Sequence, residues 1–133
     1  MIRYIIDASA AVEYLLRTSL GLHIATIIKD TALLAPALLD VEVLSVLRRG
    51  LLHETLTERR AELALEDLRT WQIDRLSHTA LIRVAWQYRH NVSADDAFYI
   101  AAARLSDAPV LTADGPLSRA PLPGIVVQNV RSG

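Results

Sequence analysis

The sequence predicts an α/β protein, a three-layer α/β/α sandwich with a central parallel sheet of about five strands. Short, unbroken apolar runs alternate along the chain with longer segments of helical periodicity. This alternation is expected of parallel strands that helices cover on both faces. The chain has 133 residues, of which 52% are hydrophobic. Residues 1–133 are therefore predicted to form a single domain that buries its own core.

The predicted strands are short apolar runs that end at polar or turn-forming residues. The first run, residues 2–6, ends at Asp7, and the second, residues 32–35, is closed by Pro36. Proline cannot donate to a strand ladder, so it commonly marks such an end. The remaining predicted strands are residues 72–76, 109–113 and 125–130.

The predicted helices are longer segments whose apolar residues recur every three or four positions. They cover residues 9–17, 20–29, 37–52, 57–70, 78–88 and 94–105. Thr57 is expected to cap the fourth of them, because a threonine hydroxyl accepts from the free amides of a first turn. Residues 115–121 are predicted to form a loop.

Composition excludes several classes of function. The net charge of −1 gives no global attraction to nucleic acid, although thirteen of the fourteen basic residues are arginine and only Lys29 is lysine. The absence of cysteine excludes disulfides, thiolate metal sites and a cysteine nucleophile. No secretory signal pattern and no membrane-spanning apolar run occur, so a cytoplasmic protein without membrane contact is expected.

Four acidic residues lie where acids are costly. Asp7 and Asp114 follow predicted strands, Glu42 lies inside an apolar helix, and Asp96 follows Asp95 at the start of another helix. A carboxylate near a core is unfavourable without a cationic partner. Ligands of parallel α/β sheets gather at the carboxyl ends of the strands. The four acids are therefore expected to converge there on one shared divalent metal ion.

Each acid also has a structural interpretation. Asp7 or Ser9 is suited to cap the following helix, and Asp114 precedes Gly-Pro as a turn aspartate does. Glu42 is the least easily explained, since its helix is apolar almost all round; an ion pair with Arg49 is the structural alternative.

The pair Asp95 and Asp96 has a strong structural alternative. Ser93-Ala-Asp-Asp matches a capping box, and acids in a first turn suit the helix dipole. In the same helix, Phe98, Ala101 and Leu105 are expected to form the core stripe, with Asp96 pointing away from it.

An oxygen-only set of ligands suits Mg²⁺, or Mn²⁺ as a substitute, rather than zinc. The histidines show no metal-ligand spacing and are expected at the surface or at interfaces. Thr112 lies two residues before Asp114 on the same side of its strand, where its hydroxyl would support a metal-bound water.

These residues, in this order, resemble the PIN-domain nucleases, in particular the VapC-like toxins of bacterial toxin–antitoxin pairs. The resemblance covers essentially the whole chain. It rests on four motifs: Ile-Ile-Asp-Ala-Ser-Ala at 5–10, the helix after Pro36 that contains Glu42, Ser-Ala-Asp-Asp-Ala at 93–97, and Val-Leu-Thr-Ala-Asp-Gly-Pro-Leu at 110–117. Asp95 and Ser45 depart from the usual pattern, so Asp95 is a candidate to share ligand duties with Asp96.

The resemblance implies a Mg²⁺-dependent endoribonuclease that cleaves structured RNA, usually transfer or ribosomal RNA. It implies a small antitoxin partner that carries the DNA-binding segment, and a homodimer or toxin–antitoxin hetero-oligomer. The implied catalytic residues are Asp7, Glu42, Asp96 and Asp114. Among them Asp7, Asp96 and Asp114 are the expected metal ligands.

Support for those ligands is expected from Ser9, Thr112 and Asp95. Arginines such as Arg48, Arg49 and Arg89 are candidates to contact RNA phosphates.

Two rival interpretations stay open. Another Mg²⁺-dependent phosphohydrolase would place an acid after its first strand, but phosphatases of that kind want Asp-x-Asp and a late lysine, whereas this chain has Asp7-Ala-Ser9 and only Lys29. A non-catalytic PIN-like binding module would use the same acidic cleft to hold a basic peptide.

Overall fold

The computed structural model describes residues 1–131, in which a five-stranded, wholly parallel sheet has the strand order β3-β2-β1-β4-β5. The elements in chain order are β1 (Arg3–Ile6), α1 (Ala8–Leu15), α2 (Ser19–Ile28), β2 (Ala32–Pro36), α3 (Leu38–Leu52), α4 (Glu58–Thr70), β3 (Asp74–Leu76), α5 (His78–Trp86), α6 (Ala94–Ser106), β4 (Val110–Thr112), α7 (Gly115–Ser118) and β5 (Val127–Asn129). The predicted α/β class and strand number are confirmed.

The order of the strands reverses beside β1. The chain moves outward from β1 to β2 and β3, then returns to the other side of β1 for β4 and β5. Right-handed crossovers therefore place α1–α4 on one face and α5 and α6 on the other. Helix α6 packs across β2, β1 and β4. The reversal between β1 and β4 opens a crevice at their carboxyl ends.

The core fills both sides of the central strand. Ile5 and Ile6 of β1 are fully buried, as are Val110 and Leu111 of β4. On the α1 side, Gly21 allows a very close helix crossing, since a Cβ there would lie 1.9 Å from the Glu13 carbonyl oxygen.

Side-chain caps begin most of the helices, so the helix starts follow from local sequence. The capping side chains accept hydrogen bonds from first-turn amides and belong to Asp7, Thr18, Thr57, Ser93 and Asp114. The expected cap at Thr57 is confirmed, with its hydroxyl 3.2 Å from the Arg60 amide.

Two local expectations are wrong. Residues 115–121 are not wholly a loop, because Asp114 caps the short helix α7 over Gly115–Ser118 and Pro116 suits its first turn. In α6, Leu105 is 55% exposed and does not join the core stripe. The buried residues of α6 are four alanines, Tyr99 and Ile100, and the alanines let the helix lie close to the sheet.

An unexpected ion pair fixes the edge strand β3. Asp40 accepts hydrogen bonds from Nε and Nη2 of Arg75, at 2.8 and 3.0 Å. Arg75 also donates to the Leu68 carbonyl. The pair ties the start of α3 to β3 and to the end of α4.

Within residues 1–131, no helix has both the length and the apolar character needed to cross a membrane.

Candidate active site

Asp7 lies at the carboxyl end of the central strand and is 6% exposed. Its Oδ1 accepts hydrogen bonds from the Ser9 hydroxyl at 2.7 Å and from the Ala10 amide at 3.0 Å, and its Oδ2 accepts one from the Thr112 hydroxyl. The same carboxylate therefore caps α1 and joins β1 to β4. Its structural and functional interpretations are compatible.

Ser9 and Thr112 connect the two strand ends. Their hydroxyl oxygens lie 3.2 Å apart. Ser9 Oγ accepts from the Ala113 amide and Thr112 Oγ1 accepts from the Asp114 amide, both at 2.9 Å. The Thr112 hydroxyl is thus engaged by protein groups, and it supports Asp7 where we expected it to support a water.

Asp114 lies two residues after the end of β4 and borders the same crevice. Its Oδ1 lies 3.5 Å from the Leu117 amide, a long hydrogen bond that begins α7. The residue is only partly buried. Its carboxylate therefore remains accessible to a ligand at the carboxyl ends of the strands.

Glu42 reaches the site from α3 and pairs with a residue that sequence reasoning missed. Its Oε1 accepts a 2.6 Å hydrogen bond from the hydroxyl of Tyr99, which is 2% exposed in α6. The structural alternative of a Glu42–Arg49 pair is not found, since Arg49 donates to Ser45. The available signal was a tyrosine hydroxyl within the apolar stretch of α6, three residues after Asp96.

Asp95 and Asp96 lie in the first turn of α6. The Asp96 amide donates to the Ser93 hydroxyl at 3.3 Å, so the predicted cap is present. Asp96 is half-buried at the crevice and Asp95 is exposed beside it. Ser93 therefore caps α6, and Asp96 also lies at the rim of the cleft.

Electrostatics show that these carboxylates share one region. Burial raises the pKa of Asp7, Glu42 and Asp96 above the ordinary carboxyl values. The charge of Asp114 further raises the pKa of Asp7 and of Asp96, and the charges of Asp95, Asp7 and Asp96 raise that of Glu42. Such mutual effects require proximity, so the structure brings all five acids together.

A cleft of about 430 Å³ opens beside Glu42 and Asp95 and is also lined by Ala8 and Arg49. The cleft thus combines acids with one exposed guanidinium. Arg48, which precedes Arg49 in α3, is also exposed, and Arg89 lies beyond the end of α5.

The acids suit a hard divalent ion by chemical type, because all of them offer oxygen and their mutual repulsion would be relieved by a cation. Across residues 1–131, however, no group of three or more His, Cys, Asp or Glu side chains is arranged so that it could hold a metal ion as it stands. Binding would therefore require side-chain rotation, or ligands from water and substrate.

A parallel α/β domain with an acidic crevice at its topological switch point defines the class of this protein. The PIN domain family model matches residues 4–122, and the chain belongs to the PIN-domain family. The family expected from the sequence is confirmed.

Two ribonucleases are similar to this chain over most of their length. Ribonuclease VapC1 of Mycobacterium tuberculosis is 38% identical over 119 residues, which span 88% of this chain and 90% of that protein. Ribonuclease VapC3 of the same organism is 37% identical, over 87% of this chain and 85% of that protein.

Solved structures show the same fold. VapBC2 from Rickettsia felis, bound to a promoter DNA fragment, superposes with a TM-score of 0.64 at 8% identity, over 96% of this chain and 98% of that one. The toxin VapC20 of M. tuberculosis, described as cleaving the Sarcin-Ricin loop, superposes with a TM-score of 0.62 at 18% identity. The match covers 86% of this chain and 92% of that one.

Proposed function

We propose that this protein is a Mg²⁺-dependent endoribonuclease that acts as the toxin of a toxin–antitoxin pair. The observation that carries the proposal is the convergence of Asp7, Glu42, Asp96 and Asp114 at the switch point, where burial and mutual repulsion raise the pKa of three of them. Perturbed acids in a crevice are typical of catalytic sites. The similarity to VapC ribonucleases supports the reaction class.

Asp7, Asp96 and Asp114 are the side chains that would hold the ion, with Mn²⁺ as a possible substitute. When bound, the ion would supply Lewis-acid activation of water and would offset phosphate charge. Ser9 and Thr112 keep the Asp7 carboxylate oriented through their hydroxyl groups. Asp95 is a further candidate metal ligand beside Asp96.

Glu42 is the proposed general base. Its pKa is raised by burial and by neighbouring acids, which moves it toward the value at which a base works best near neutral pH. The Tyr99 hydroxyl fixes one of its oxygens and leaves the other to receive a proton from water. Arg49 lines the same cleft and would contact an RNA phosphate.

The proposed substrate is a structured RNA, either transfer or ribosomal RNA. The neighbour VapC20, which is described as cleaving the Sarcin-Ricin loop, supports this class through its shared fold. The proposed partner is a small antitoxin. Solved toxin–antitoxin structures from Rickettsia felis and Klebsiella pneumoniae share the fold, with a TM-score of 0.59 for the latter. DNA would be contacted only through the antitoxin.

The proposed assembly is a homodimer or a toxin–antitoxin hetero-oligomer in the cytoplasm.

The test compares Asp7→Asn and Asp96→Asn with the unchanged chain. RNA is incubated with each protein at several Mg²⁺ concentrations and its new 5′ ends are sequenced. Each substitution should abolish cleavage and the growth arrest that follows induction, while circular dichroism stays unchanged. Asp30→Asn is the matched control, because Asp30 lies at the opposite end of the sheet in a left-handed conformation that asparagine tolerates. Full activity of either site variant would refute the assignment.

The non-catalytic binding module is separated by Mn²⁺ titration of the purified protein. A nuclease should bind the ion and lose that binding in Asp96→Asn. A chain that binds no Mn²⁺ at millimolar levels, and cleaves no RNA, would favour the binding module.

A phosphohydrolase of another kind would hydrolyse phosphate monoesters in preference to RNA.

A further inference from the structure

A second, mainly apolar groove lies between α5 and α6. It has a volume of about 320 Å³ and is lined, among others, by Ile82, Trp86, Arg89, Ala94, Ala97 and Phe98. We call it the α5–α6 groove. No residue of it takes part in the carboxylate site described above.

Trp86 and Arg89 form a flat, charged wall of this groove. Trp86 is 66% exposed, and the Arg89 guanidinium carbon lies 5.0 Å from the centre of the Trp86 ring. The guanidinium is held there by a 2.9 Å hydrogen bond to the Trp86 carbonyl. Together with Ile82, which is 53% exposed, Trp86 gives the groove an exposed apolar surface of the kind that marks an interaction site.

The positive charge of Arg89 is available to an anion. Among residues 1–131, Arg89 makes no ion pair with a carboxylate, whereas Arg17, Arg69, Arg75 and Arg131 each make one. A guanidinium that is stacked and unpaired suits a phosphate beside an aromatic ring.

The groove is continuous with the first turn of α6. Ala94 and Ala97 line it, while Asp95 and Asp96 on the other side of the same turn face the acidic site. The two sides of one helix are separated by about 10–12 Å. A nucleic-acid strand whose phosphate lies at the acids therefore has neighbouring nucleotides within reach of Trp86.

We propose that the α5–α6 groove is a subsite for an unpaired nucleobase that flanks the cleaved phosphodiester. The base stacks on Trp86 and its phosphate pairs with Arg89. The inference rests on the proposed nuclease function and adds how the strand is gripped beside the acids. Stacking of unpaired bases on aromatic rings and guanidinium planes is the common mode of single-strand recognition.

The test measures RNA binding in an Asp7→Asn background, which keeps the probe intact. Trp71→Phe is added so that Trp86 alone reports by fluorescence. A short oligoadenylate should quench Trp86, whereas a matched abasic strand, which keeps the phosphates, should not. Trp86→Ala should weaken binding of the labelled oligoadenylate by roughly 5- to 150-fold, as expected for one stacked base. Trp86→Phe should restore most of the affinity.

Two matched controls accompany the test. Leu105→Ala removes another exposed apolar side chain, 55% exposed, at the far end of α6. Arg59→Ala removes an exposed arginine of α4, and both variants should leave binding unchanged. Arg89→Ala should weaken the binding of the oligoadenylate and of the abasic strand to the same extent.

Three results would overturn the subsite. The first is equal quenching by both strands, and the second is unchanged affinity of a Trp86→Ala protein whose oligomeric state is also unchanged. The third is unchanged affinity of a Trp86→Ala protein that changes from dimer to monomer by light scattering. The last result would make the groove a contact with a second copy. Absence of RNA cleavage by the unchanged chain with any divalent ion would refute the nuclease function itself, so the two failures are distinguishable.

Discussion

At the scale of single residues, the candidate site depends on how each carboxylate is held. Asp7 is held by three donors, which leaves one of its about four acceptor sites to a ligand. Glu42 relies on Tyr99 alone among the protein side chains described near it. Both acids are buried enough to raise their pKa. Asp7, which is held rigidly, therefore suits metal coordination. Glu42, which keeps one oxygen free, suits proton transfer.

Tyr99→Phe tests the positioning of Glu42. The hydrogen bond from Tyr99 lowers the pKa of Glu42, so its loss should let that pKa rise further. The acidic limb of the pH–rate profile for RNA cleavage should move to higher pH, and the rate should fall roughly 10-fold or more, as for a lost bond to a charged group. The control Tyr4→Phe, in β1, should change neither the pH–rate profile nor the rate. A lower rate without a shifted profile would indicate a purely structural role.

Asp7→Asn should stabilise the metal-free protein at neutral pH. The pKa of Asp7 is raised in the folded state, so the unfolded chain loses its proton first as the pH rises. Stability from this group is therefore present at low pH and is lost as the pH rises from the ordinary value through the raised one. Asparagine carries no charge at neutral pH, so this loss of stability does not occur in Asp7→Asn. The asparagine amide fits if it donates to the Thr112 hydroxyl, which donates to Asp7 in the unchanged chain.

Thermal melts between acid and neutral pH measure this effect. The Tm gain of Asp7→Asn over the unchanged chain should grow with pH. Asp7→Ala should instead lower the Tm at every pH, because it leaves buried donors without an acceptor. A Tm gain that does not depend on pH would contradict the electrostatic explanation.

At the scale of elements, helix caps and strand ends bring the acids to one edge. Asp7 and Asp114 each come shortly after a strand and cap the next helix. Ser93 begins α6 so that its first turn carries Asp95 and Asp96 to the crevice. The same local chemistry that starts the helices therefore also positions the site.

Ser93→Ala tests that coupling. Loss of this cap should cost about 1 kcal/mol and lower the Tm by about 4 °C. RNA cleavage should also fall, since Asp96 lies in the loosened turn. Thr57→Ala removes the equivalent cap of α4, where no proposed site residue lies. It should cost similar stability at unchanged activity, and equal loss of activity in both variants would refute the coupling.

At the scale of the whole molecule, reversal of the strand order places four separate segments around one crevice. Strand ends of β1 and β4 meet there, while α3 and α6 approach from opposite faces of the sheet. The resulting concentration of acids opposes folding unless a cation is present. A divalent ion should therefore stabilise the entire domain.

Mg²⁺ should raise the Tm of the unchanged chain. At a concentration 100 times its Kd, the ion should increase the free energy of unfolding by about 2.7 kcal/mol. The gain should shrink as the pH falls and the acids protonate, since their raised pKa values make protonation easier. NaCl at equal ionic strength controls for screening. An equal Mg²⁺ gain in Asp96→Asn would argue against a site that uses this residue.

Much of this molecule follows from the sequence by itself. Apolar runs of strand length and the caps at Thr57 and Ser93 are local signals, so the strands, the main helices and the α/β class could be predicted from them. The four motif acids could be selected because charged residues in apolar segments are costly. The helix over Gly115–Ser118 was missed because one turn carries little periodicity.

Only the tertiary structure decided which side chains meet. The contacts Tyr99–Glu42, Thr112–Asp7 and Arg75–Asp40 join residues separated by 57, 105 and 35 positions. No local pattern encodes such pairs, because they arise from helix packing and sheet order. The sequence determined the kinds of residues available to the site, and packing across the switch point decided their partners, their burial and hence their acidity.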